Sequence, residues 1–272
     1  MFTKKAILVV SFGTSHLDTL DKNIKAIEQD IQNSYPDYKI YRAFTSQMII
    51  KKLKSVHNIS IHTVSSAMKK MQADGITEVM IQPTHIIHGI ENDNMIKDAY
   101  QAKDAFTSIK ISTPLLSTSE DYLKVVNILM KNYPVKKEEA LVLMGHGTSH
   151  YANSSYPALS YTFTQQGYNN VFVGTVEGYP ELEHLFDMIN KQSIQHIKLL
   201  PFMLVAGDHA LNDMDSNDED SWKSKFLQEG YEVESIVKGL GEIKEIRELY
   251  LEHLNKAIHG ESTILDFKLD TI

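Results

Sequence analysis

Three polar residues in the second half of the sequence follow apolar runs, and their types are those that bind metals. His146 follows 140–145, Glu177 follows 171–176, and His209 follows an apolar run and a glycine. Two imidazoles and one carboxylate suit a borderline divalent metal such as Co, Ni, Fe or Zn. Three protein ligands leave a coordination position open, as catalytic metal sites do. The chain has no cysteine, which excludes thiolate ligands and thiolate nucleophiles.

Each of these three residues also has a purely structural interpretation. His146 is equally explained as a hydrogen-bonded histidine packed at a strand end, and Glu177 as a cap of the helix that follows it. Asp208 or Asp213 could accept a hydrogen bond from the ring of His209 and orient it. The metal-site interpretation therefore depends on whether the fold brings the three side chains together.

Short apolar runs alternate with longer amphipathic segments, which is typical of parallel βαβ units with helices on both faces of a sheet. In 16–34, apolar residues recur every three or four positions, which predicts an amphipathic helix. The carboxyl ends of neighbouring parallel strands meet at one edge, so residues that follow three strands of one sheet converge there. The predicted strands are 6–12, 39–44, 77–83, 108–112, 139–145, 170–176, 196–204 and 231–236.

The two halves of the sequence resemble each other, first at a glycine-containing turn. LVVSFGTSH at 8–16 resembles LVLMGHGTSH at 141–150, with Phe12 in the place of His146. Both segments read as a strand followed by Gly-Thr-Ser. A single match between two βα turns arises easily by chance, so a second match in the same order is needed to establish a repeat.

A second pair of similar segments follows in the same order. IQPTHIIHGIENDNM at 81–95 resembles LLPFMLVAGDHALNDM at 199–214, and aligning their glycines puts Glu91 opposite His209. Two matches in order indicate duplicated α/β units that face each other across a cleft. We therefore expect Glu91 and His209 to point into this cleft from opposite lobes.

The length of 272 residues and the hydrophobic content of 42% allow either one large domain or two smaller ones. The polar, proline-containing segment 131–139 is expected to connect two lobes, 1–133 and 134–272. The sequence thus predicts an α/β fold of two similar flavodoxin-like lobes, each a parallel sheet flanked by helices, with a cleft between them. The C-terminal lobe would carry the three candidate ligands.

The formal net charge of −8 argues against a nucleic acid as the main partner, because nucleic-acid surfaces are normally basic. No apolar run approaches the roughly 20 residues of a membrane span. The first residues lead into a predicted strand without the features of a signal peptide. We therefore expect a cytoplasmic protein without membrane contact.

Other residues carry weaker signals. The internal repeat places His85 and His88 near the expected cleft. The loop at 11–16, rich in Ser, Thr and Gly, could cradle a phosphate group instead. The histidines in polar or helical surroundings are expected to be solvated, namely His57, His62, His184, His196, His253 and His259.

Five segments of the chain together resemble a known family. They are LVVSFGTSHLDT near the start, YRAFTSQMIIKKL at 41–53, MGHGTSH, VEGYPE, and PFMLVAGDHALNDM followed by DSWK. In this order they span nearly the whole chain. They are similar to segments of the CbiK-type sirohydrochlorin cobaltochelatases, the anaerobic cobalt chelatases of the class II chelatase superfamily.

The resemblance implies a two-lobed α/β enzyme that inserts Co²⁺ into sirohydrochlorin, or its relative precorrin-2, without ATP in anaerobic cobalamin synthesis. The family's metal-binding histidines match His146 and His209, its carboxylate between them matches Glu177, and a second carboxylate matches Glu91. His88 departs from the asparagine of a relative, which leaves the details of metal delivery open. Cobalt would be a substrate, and no organic cofactor is expected.

The carboxylates of such a tetrapyrrole require hydrogen-bond donors and a cation. We expect these from side chains in the first half, assisted by backbone N–H groups of the Gly13 loop. The expected anchors are Ser11, Thr14, Ser15, Arg42 and Ser46. Together with Glu91, His85 and His88 complete the predicted substrate-binding set.

Two other interpretations remain open from the sequence. A ferrochelatase or nickel chelatase could use the same three ligands, because affinity rises along the first-row metals and selectivity comes from geometry and supply. A flavodoxin-like binder of FMN or another phosphate ligand would need the loop at 11–16 and no metal triad. The oligomeric state is also open, with a homo-oligomer among the options.

Overall fold

The computed structural model describes residues 4–261 and 265–268, and the chain divides into two compact units. Unit 1 comprises 1–117 and 247–272, and unit 2 comprises 118–246. Each unit is built around one sheet with helices beside it, which confirms the predicted α/β class.

Nine strands are assigned within the described residues. All eight predicted strands are present, and the ends of most of them differ from the prediction by one residue or none. The bounds are Lys5–Ser11 (β1), Lys39–Phe44 (β2), Glu78–Pro83 (β3), Ser108–Ile111 (β4), Glu139–Gly145 (β5), Val171–Thr175 (β6), His196–Pro201 (β7), Glu232–Ser235 (β8) and Leu265–Lys268 (β9).

The two sheets have the same strand order around a central strand. In unit 1 the order is β2-β1-β3-β4-β9, and in unit 2 it is β6-β5-β7-β8. Strands β1 to β4 pair in parallel, as do β5 to β8. The structure adds β9, which pairs antiparallel with β4 and was not predicted from the sequence.

The helices occupy the segments between the strands. The predicted helix at 16–34 is present as two α-helical pieces joined by a π-helical turn, Leu20–Lys25. The α-helices are Leu17–Thr19 (α1), Ala26–Ser34 (α2), Gln47–His57 (α3), Val64–Ala73 (α4), Ile90–Gln101 (α5), Ser119–Asn132 (α6), Ser155–Gln165 (α7), Leu182–Ile189 (α8), Trp222–Gln228 (α9) and Lys244–His259 (α10).

The central strands are covered on both faces. All side chains of β1 after Lys5 are buried, and those of β5 are buried from Ala140 onward. Strands covered on both sides are continuous apolar runs rather than alternating ones, which is how both appear in the sequence. Burial of these runs fixes where each strand ends, and so where the loop residues beyond it begin.

The units do not follow the predicted lobes 1–133 and 134–272. Helix α6 follows a strand of unit 1 in the chain but belongs to unit 2, whereas α10 belongs mostly to unit 1. Each half of the chain thus contributes its last helix to the other unit. The length and composition of the chain cannot predict that α6 and α10 change units, because their membership depends on which sheet each helix packs against.

The internal repeat is visible in the backbone hydrogen bonds of the two units. In unit 1, the N–H of Ser46 donates to the carbonyl of Phe12 (3.2 Å). In unit 2, the N–H of Glu177 donates to the carbonyl of His146 (2.8 Å). Phe12 therefore occupies the position of His146, as the sequence predicts, and Ser46 occupies the position of Glu177.

The second predicted correspondence is also present. The N–H of a loop leucine donates to the carbonyl of His85 in unit 1 (3.0 Å) and to that of Met203 in unit 2 (2.9 Å). Six residues after these carbonyls come Glu91 and His209. The alignment of Glu91 with His209 is confirmed as an equivalence of position within the two units.

A membrane-spanning helix would need a long, apolar segment. Among the described residues, no helix combines the necessary length and apolar character.

Replacing the cap of α6 tests whether this helix is fixed at its start. Thr118 and Asp121 form a capping box, in which the buried Asp121 carboxylate accepts from the Thr118 N–H (2.7 Å) and hydroxyl (2.9 Å). Thr118→Ala should lower the free energy of unfolding by about 1 kcal/mol. Chemical denaturation measures it, with the exposed helical Thr164→Ala as the control. Equal stability of both variants would contradict a stabilising cap.

Candidate metal centre

Three neighbouring strands of unit 2 bring the candidate ligands to one edge of its sheet. Strand β5 lies between β6 and β7. His146 directly follows β5, Glu177 lies two residues beyond β6, and His209 precedes the π-helical turn Ala210–Met214 that follows β7. The carboxyl ends of parallel strands meet at this edge, so the positions follow from the topology.

The three side chains come together as the sequence predicts. Each offers one ligand atom, and these atoms all lie within 4.8 Å of one another. The rings of His146 and His209 are nearly perpendicular, with centroids 4.6 Å apart, and Nδ1 of His146 lies 3.8 Å from Oε2 of Glu177. The histidines are partly exposed and the glutamate is exposed, so a metal ion can reach the site from solvent.

Hydrogen bonds fix which ring nitrogen of each histidine can bind a metal. Nδ1 of His209 lies 2.6 Å from Oδ2 of Asp213, and Nδ1 of His146 lies 2.9 Å from the carbonyl oxygen of Gly147. Both partners accept, so each Nδ1 donates and each Nε2 carries the lone pair. Carboxylate or carbonyl acceptors behind metal-binding imidazoles orient the ring and raise its basicity. Of the two aspartates considered from the sequence, Asp213 is the one that contacts His209.

The loop after His146 is too crowded for any residue but glycine at position 147. Gly147 has a φ of +82°, a region that favours glycine. A Cβ atom there would lie 2.6 Å from the backbone nitrogen of Gly178 and 2.8 Å from Cβ of Thr175. The close approach of the two loops is therefore built into the backbone.

Asn153 joins the same two loops through its side chain. Its Oδ1 accepts from the N–H of Thr148 (3.1 Å), and its Nδ2 donates to the carbonyl of Tyr179 (2.6 Å). This residue was not identified from the sequence, where a single asparagine in a polar segment carries no signal. It stabilises the relative positions of the His146 loop and the Glu177 loop.

The predicted hydroxyl anchors lie in unit 1, where most have local partners. Ser11 accepts from the hydroxyl of Thr84 (2.8 Å), and Thr14 accepts from a backbone N–H of its own loop (3.2 Å). Ser46 caps α3 by accepting from the N–H of Ile49 (3.4 Å). The four serine and threonine anchors are buried, namely Ser11, Thr14, Ser15 and Ser46. Their contact with a substrate remains a prediction.

The predicted cationic anchor is already paired. The guanidinium of Arg42 binds both carboxylate oxygens of Glu28, with Nε 2.6 Å from Oε1. Both side chains are largely buried. Such a bidentate pair holds the charge and the orientation of the arginine, so any contact with an anionic ligand would have to compete with Glu28.

His85, His88 and Glu91 lie at the end of β3 and the start of α5. Both ring nitrogens of His85 are buried and make no hydrogen bond of standard geometry, although the Asn92 side chain is close by. Nε2 of His88 lies 2.8 Å from the Ser117 hydroxyl. Glu91 is half-buried in the first turn of α5. A ligand role for any of the three remains a prediction.

One expectation about histidines is wrong. His253 was expected to be solvated, but it is buried in α10, where its Nδ1 lies 3.4 Å from the carbonyl oxygen of Thr113. Most of α10 belongs to unit 1, which explains the burial. The prediction failed because the sequence alone does not indicate which face of this helix is covered.

Two α/β units of matching topology, one of which brings two imidazoles and a carboxylate together, define an α/β protein of two units with a candidate metal site. A solved structure of SirB from Bacillus subtilis with Fe³⁺ has this fold, with a TM-score of 0.63 at 12% identity. The match covers 95% of this chain and 98% of that protein. At this identity the likeness concerns the fold alone.

Sequence comparison identifies the family. The model of the family described as cobalt chelatase (CbiK) matches residues 5–259, and the chain belongs to this family. A sirohydrochlorin cobaltochelatase of Salmonella typhimurium (strain LT2) is 42% identical over 94% of this chain and 97% of its own length. The sirohydrochlorin cobaltochelatase CbiKC of Nitratidesulfovibrio vulgaris (strain Hildenborough) is 30% identical over 94% of this chain and 91% of its own.

The ring of His85, both of whose nitrogens are buried, should make stability depend on pH. Burial, with a smaller contribution from His88, lowers the pKa of His85 to about 4, against an ordinary value near 6.5. Between these values the unfolded chain binds more protons, so stability falls as the pH is lowered. Between pH 7 and pH 5 the free energy of unfolding should drop by about 2 kcal/mol because of this residue.

Denaturation at the two pH values measures this dependence. His85→Met, which introduces the residue found at the equivalent position 203, should remove most of the drop. His57→Ala serves as the control, because His57 is exposed and its loss should leave the pH dependence unchanged. An unaltered drop in the His85 variant would show that the ring is not buried as a neutral group.

Proposed function

We propose that this chain inserts Co²⁺ into sirohydrochlorin, or into its relative precorrin-2, without ATP and within anaerobic cobalamin synthesis. The observation that carries the proposal is the convergence of His146, Glu177 and His209 within 4.8 Å at one sheet edge. Membership of the cobalt chelatase family supports the choice of reaction. The names of the two relatives support the choice of metal and tetrapyrrole.

In this proposal the imidazoles present the metal and the carboxylate acts beside them. His146 and His209 bind Co²⁺ through Nε2, since each Nδ1 donates a hydrogen bond. Glu177 is a third ligand or an acceptor for a pyrrole proton. Insertion must remove two pyrrole protons and replace the protein ligands of the metal by ring nitrogens. The protein ligands must therefore bind the metal and still leave one side of it open to the ring.

The remaining features of the proposal concern the substrate and the surroundings. The tetrapyrrole carboxylates would be held by the hydroxyls and the cation of unit 1, with Glu91, His85 and His88 beside them. The substrate anchors are Ser11, Thr14, Ser15, Arg42 and Ser46. We further propose a cytoplasmic enzyme that needs no organic cofactor, binds no nucleic acid and makes no membrane contact, with a homo-oligomer as an open option.

Replacing the ligands tests the reaction directly. With sirohydrochlorin and Co²⁺, the wild-type protein should shift the tetrapyrrole absorbance bands as the metal enters the ring. His146→Ala should lower the rate at least about 100-fold, because losing a metal ligand reduces activity more than losing the hydrogen-bond acceptor that orients a ligand. Glu177→Gln keeps the shape without the charge and should lower the rate about tenfold or more.

Controls distinguish this mechanism from its competitors. His196→Ala removes a histidine at the start of β7, and should insert cobalt at the wild-type rate. Parallel assays with Fe²⁺ and Ni²⁺ ask whether the same site serves another metal. A normal rate for His146→Ala would exclude it from the mechanism. A flavin bound to the isolated protein, with no change in the tetrapyrrole spectrum, would favour an FMN binder instead.

Glu91 provides a separate test, because it occupies in unit 1 the position of His209. A half-buried carboxylate is costly without a cation, a metal or water beside it. Glu91→Ala should therefore lower the insertion rate about tenfold while the thermal unfolding temperature stays close to that of the wild type. Asp93→Ala, an exposed change in the same helical turn, is the matched control. Equal rates for both variants would mean that Glu91 merely interacts with the helix dipole.

A further inference from the structure

The two histidines of the candidate metal centre are oriented in different ways. Nδ1 of His209 donates to the carboxylate of Asp213 (2.6 Å), whereas Nδ1 of His146 donates to the carbonyl oxygen of the next residue, Gly147 (2.9 Å). A backbone carbonyl keeps its place only if the loop that contains it keeps its shape. The orientation of the His146 ring therefore depends on the groups that fix the backbone at 145–148.

One buried side chain lies against this backbone on both sides of His146. Tyr156, in the first turn of α7, is only 3% exposed. A Cβ atom at Gly145 would lie 2.4 Å from Cε1 of Tyr156, so the tyrosine ring packs directly beside Gly145. Burial raises the pKa of the Tyr156 hydroxyl to about 12, and the neighbouring backbone of Gly147 opposes this shift. Tyr156 thus adjoins both the residue before His146 and the residue after it.

Asn153 holds the next part of the same loop and connects it to the loop of Glu177. Its amide accepts from the N–H of Thr148 and donates to the carbonyl of Tyr179, as described above. A Cβ atom at Gly178 would lie 2.5 Å from Oδ1 of Asn153, so the amide packs against the residue that directly follows Glu177. One side chain therefore contacts both of these ligand-bearing loops.

The turn that carries Asn153 is itself fixed by hydrogen bonds. Nδ1 of His150 accepts from the N–H of Ala152 (3.2 Å), and the carbonyl of His150 accepts from the N–H of Asn153 (2.9 Å). The 3₁₀-helical turn Tyr151–Ser154 then runs directly into α7. Asn153 and Tyr156 are therefore presented by one continuous helical segment.

We propose that Asn153 and Tyr156 are positioning residues of the candidate metal centre, which hold His146 at the right distance from Glu177 for both to bind one ion. This inference rests on the proposed function and adds two residues that act on the metal through its ligands. Tyr156 fixes the backbone beside His146, and Asn153 fixes the spacing between the two loops. Supporting contacts behind metal ligands typically change metal affinity by about 10- to 100-fold.

Titration of Co²⁺ into the protein without tetrapyrrole tests the role of Asn153. Asn153→Ala removes both hydrogen bonds and should raise the Kd for Co²⁺ about tenfold. The visible absorption bands of bound Co²⁺ should also change, because they report the arrangement of its ligands. The KM for sirohydrochlorin should stay at the wild-type value, since the substitution leaves the proposed substrate anchors untouched.

Asn170 offers a matched control for Asn153. Its amide donates to the carbonyls of Lys136 (2.8 Å) and Glu139 (2.7 Å), and so joins two segments of unit 2 near the amino end of its sheet. Asn170→Ala should lower the thermal unfolding temperature about as much as Asn153→Ala does, but leave the Kd for Co²⁺ unchanged. This difference separates the positioning of ligands from a general stabilisation of unit 2.

Two replacements of Tyr156 test the role of its ring. Tyr156→Phe keeps the ring beside Gly145 and should keep a Kd for Co²⁺ close to that of the wild type. Tyr156→Leu removes the ring and should raise this Kd about tenfold. Phe163→Leu, which changes a buried aromatic residue of the same helix, is the control for the loss of core packing and should leave the Kd unchanged. Asn153 is only partly buried, so its variant decides the test if Tyr156→Leu does not fold.

The outcomes distinguish this inference from the proposed function. A wild-type Kd and unchanged Co²⁺ absorption bands in Asn153→Ala or in Tyr156→Leu would overturn the inference for the residue concerned and leave the reaction in place. An equal loss of Co²⁺ affinity in Asn170→Ala would overturn it as well, because any destabilisation of unit 2 would then suffice. A wild-type protein that binds Co²⁺ but leaves the sirohydrochlorin spectrum unchanged would overturn the reaction and leave the positioning role in place.

Discussion

The candidate metal site depends on the parallel pairing of β5 with both of its neighbours. In the observed register Gly145 lies opposite Thr175, and Met144 lies opposite Pro201. A slip of one residue would move a strand end by about 3.3 Å and turn its side chains to the other face of the sheet. The apolar runs of these strands are buried on both faces, so a slip would expose apolar surface or bury loop residues. The same packing that stabilises unit 2 therefore holds the ligand positions.

One backbone arrangement serves two different purposes in this chain. The hydrogen bonds that join the central strand ends to their neighbours recur in both units, but imidazoles occupy the positions of His146 and His209 in unit 2 and not the equivalent positions in unit 1. In unit 1 the corresponding positions hold Phe12, Ser46 and Glu91. The scaffold fixes where side chains are placed and not what they do, so the chemistry of each unit follows from its side chains.

Sequence patterns predict the elements of this protein well and their assembly less well. The strands and the triad follow from local patterns, because burial on both faces produces continuous apolar runs that end at the ligands. The short strand β9 and the exchange of α6 and α10 depend on contacts between segments distant in the sequence, which explains why His253 is buried against expectation. Asp213 could be predicted only as one of two candidate partners of His209, and Asn153 could not be predicted at all. The contacts of both residues depend on how a turn places the side chain, which the sequence does not show.

The partial exposure of the triad is consistent with the demands of metal transfer. A closed site with four strong ligands would hold a metal too tightly to release it, as structural zinc sites do. Here Asp213 accepts a hydrogen bond from His209 and orients its ring, while the exposed Glu177 stays accessible to water. One side of the site is thus held by a hydrogen bond, and the other is open to solvent. In the proposed reaction, an incoming ring nitrogen would displace Glu177 first, after which fewer bonds between the protein and the metal would remain to be broken.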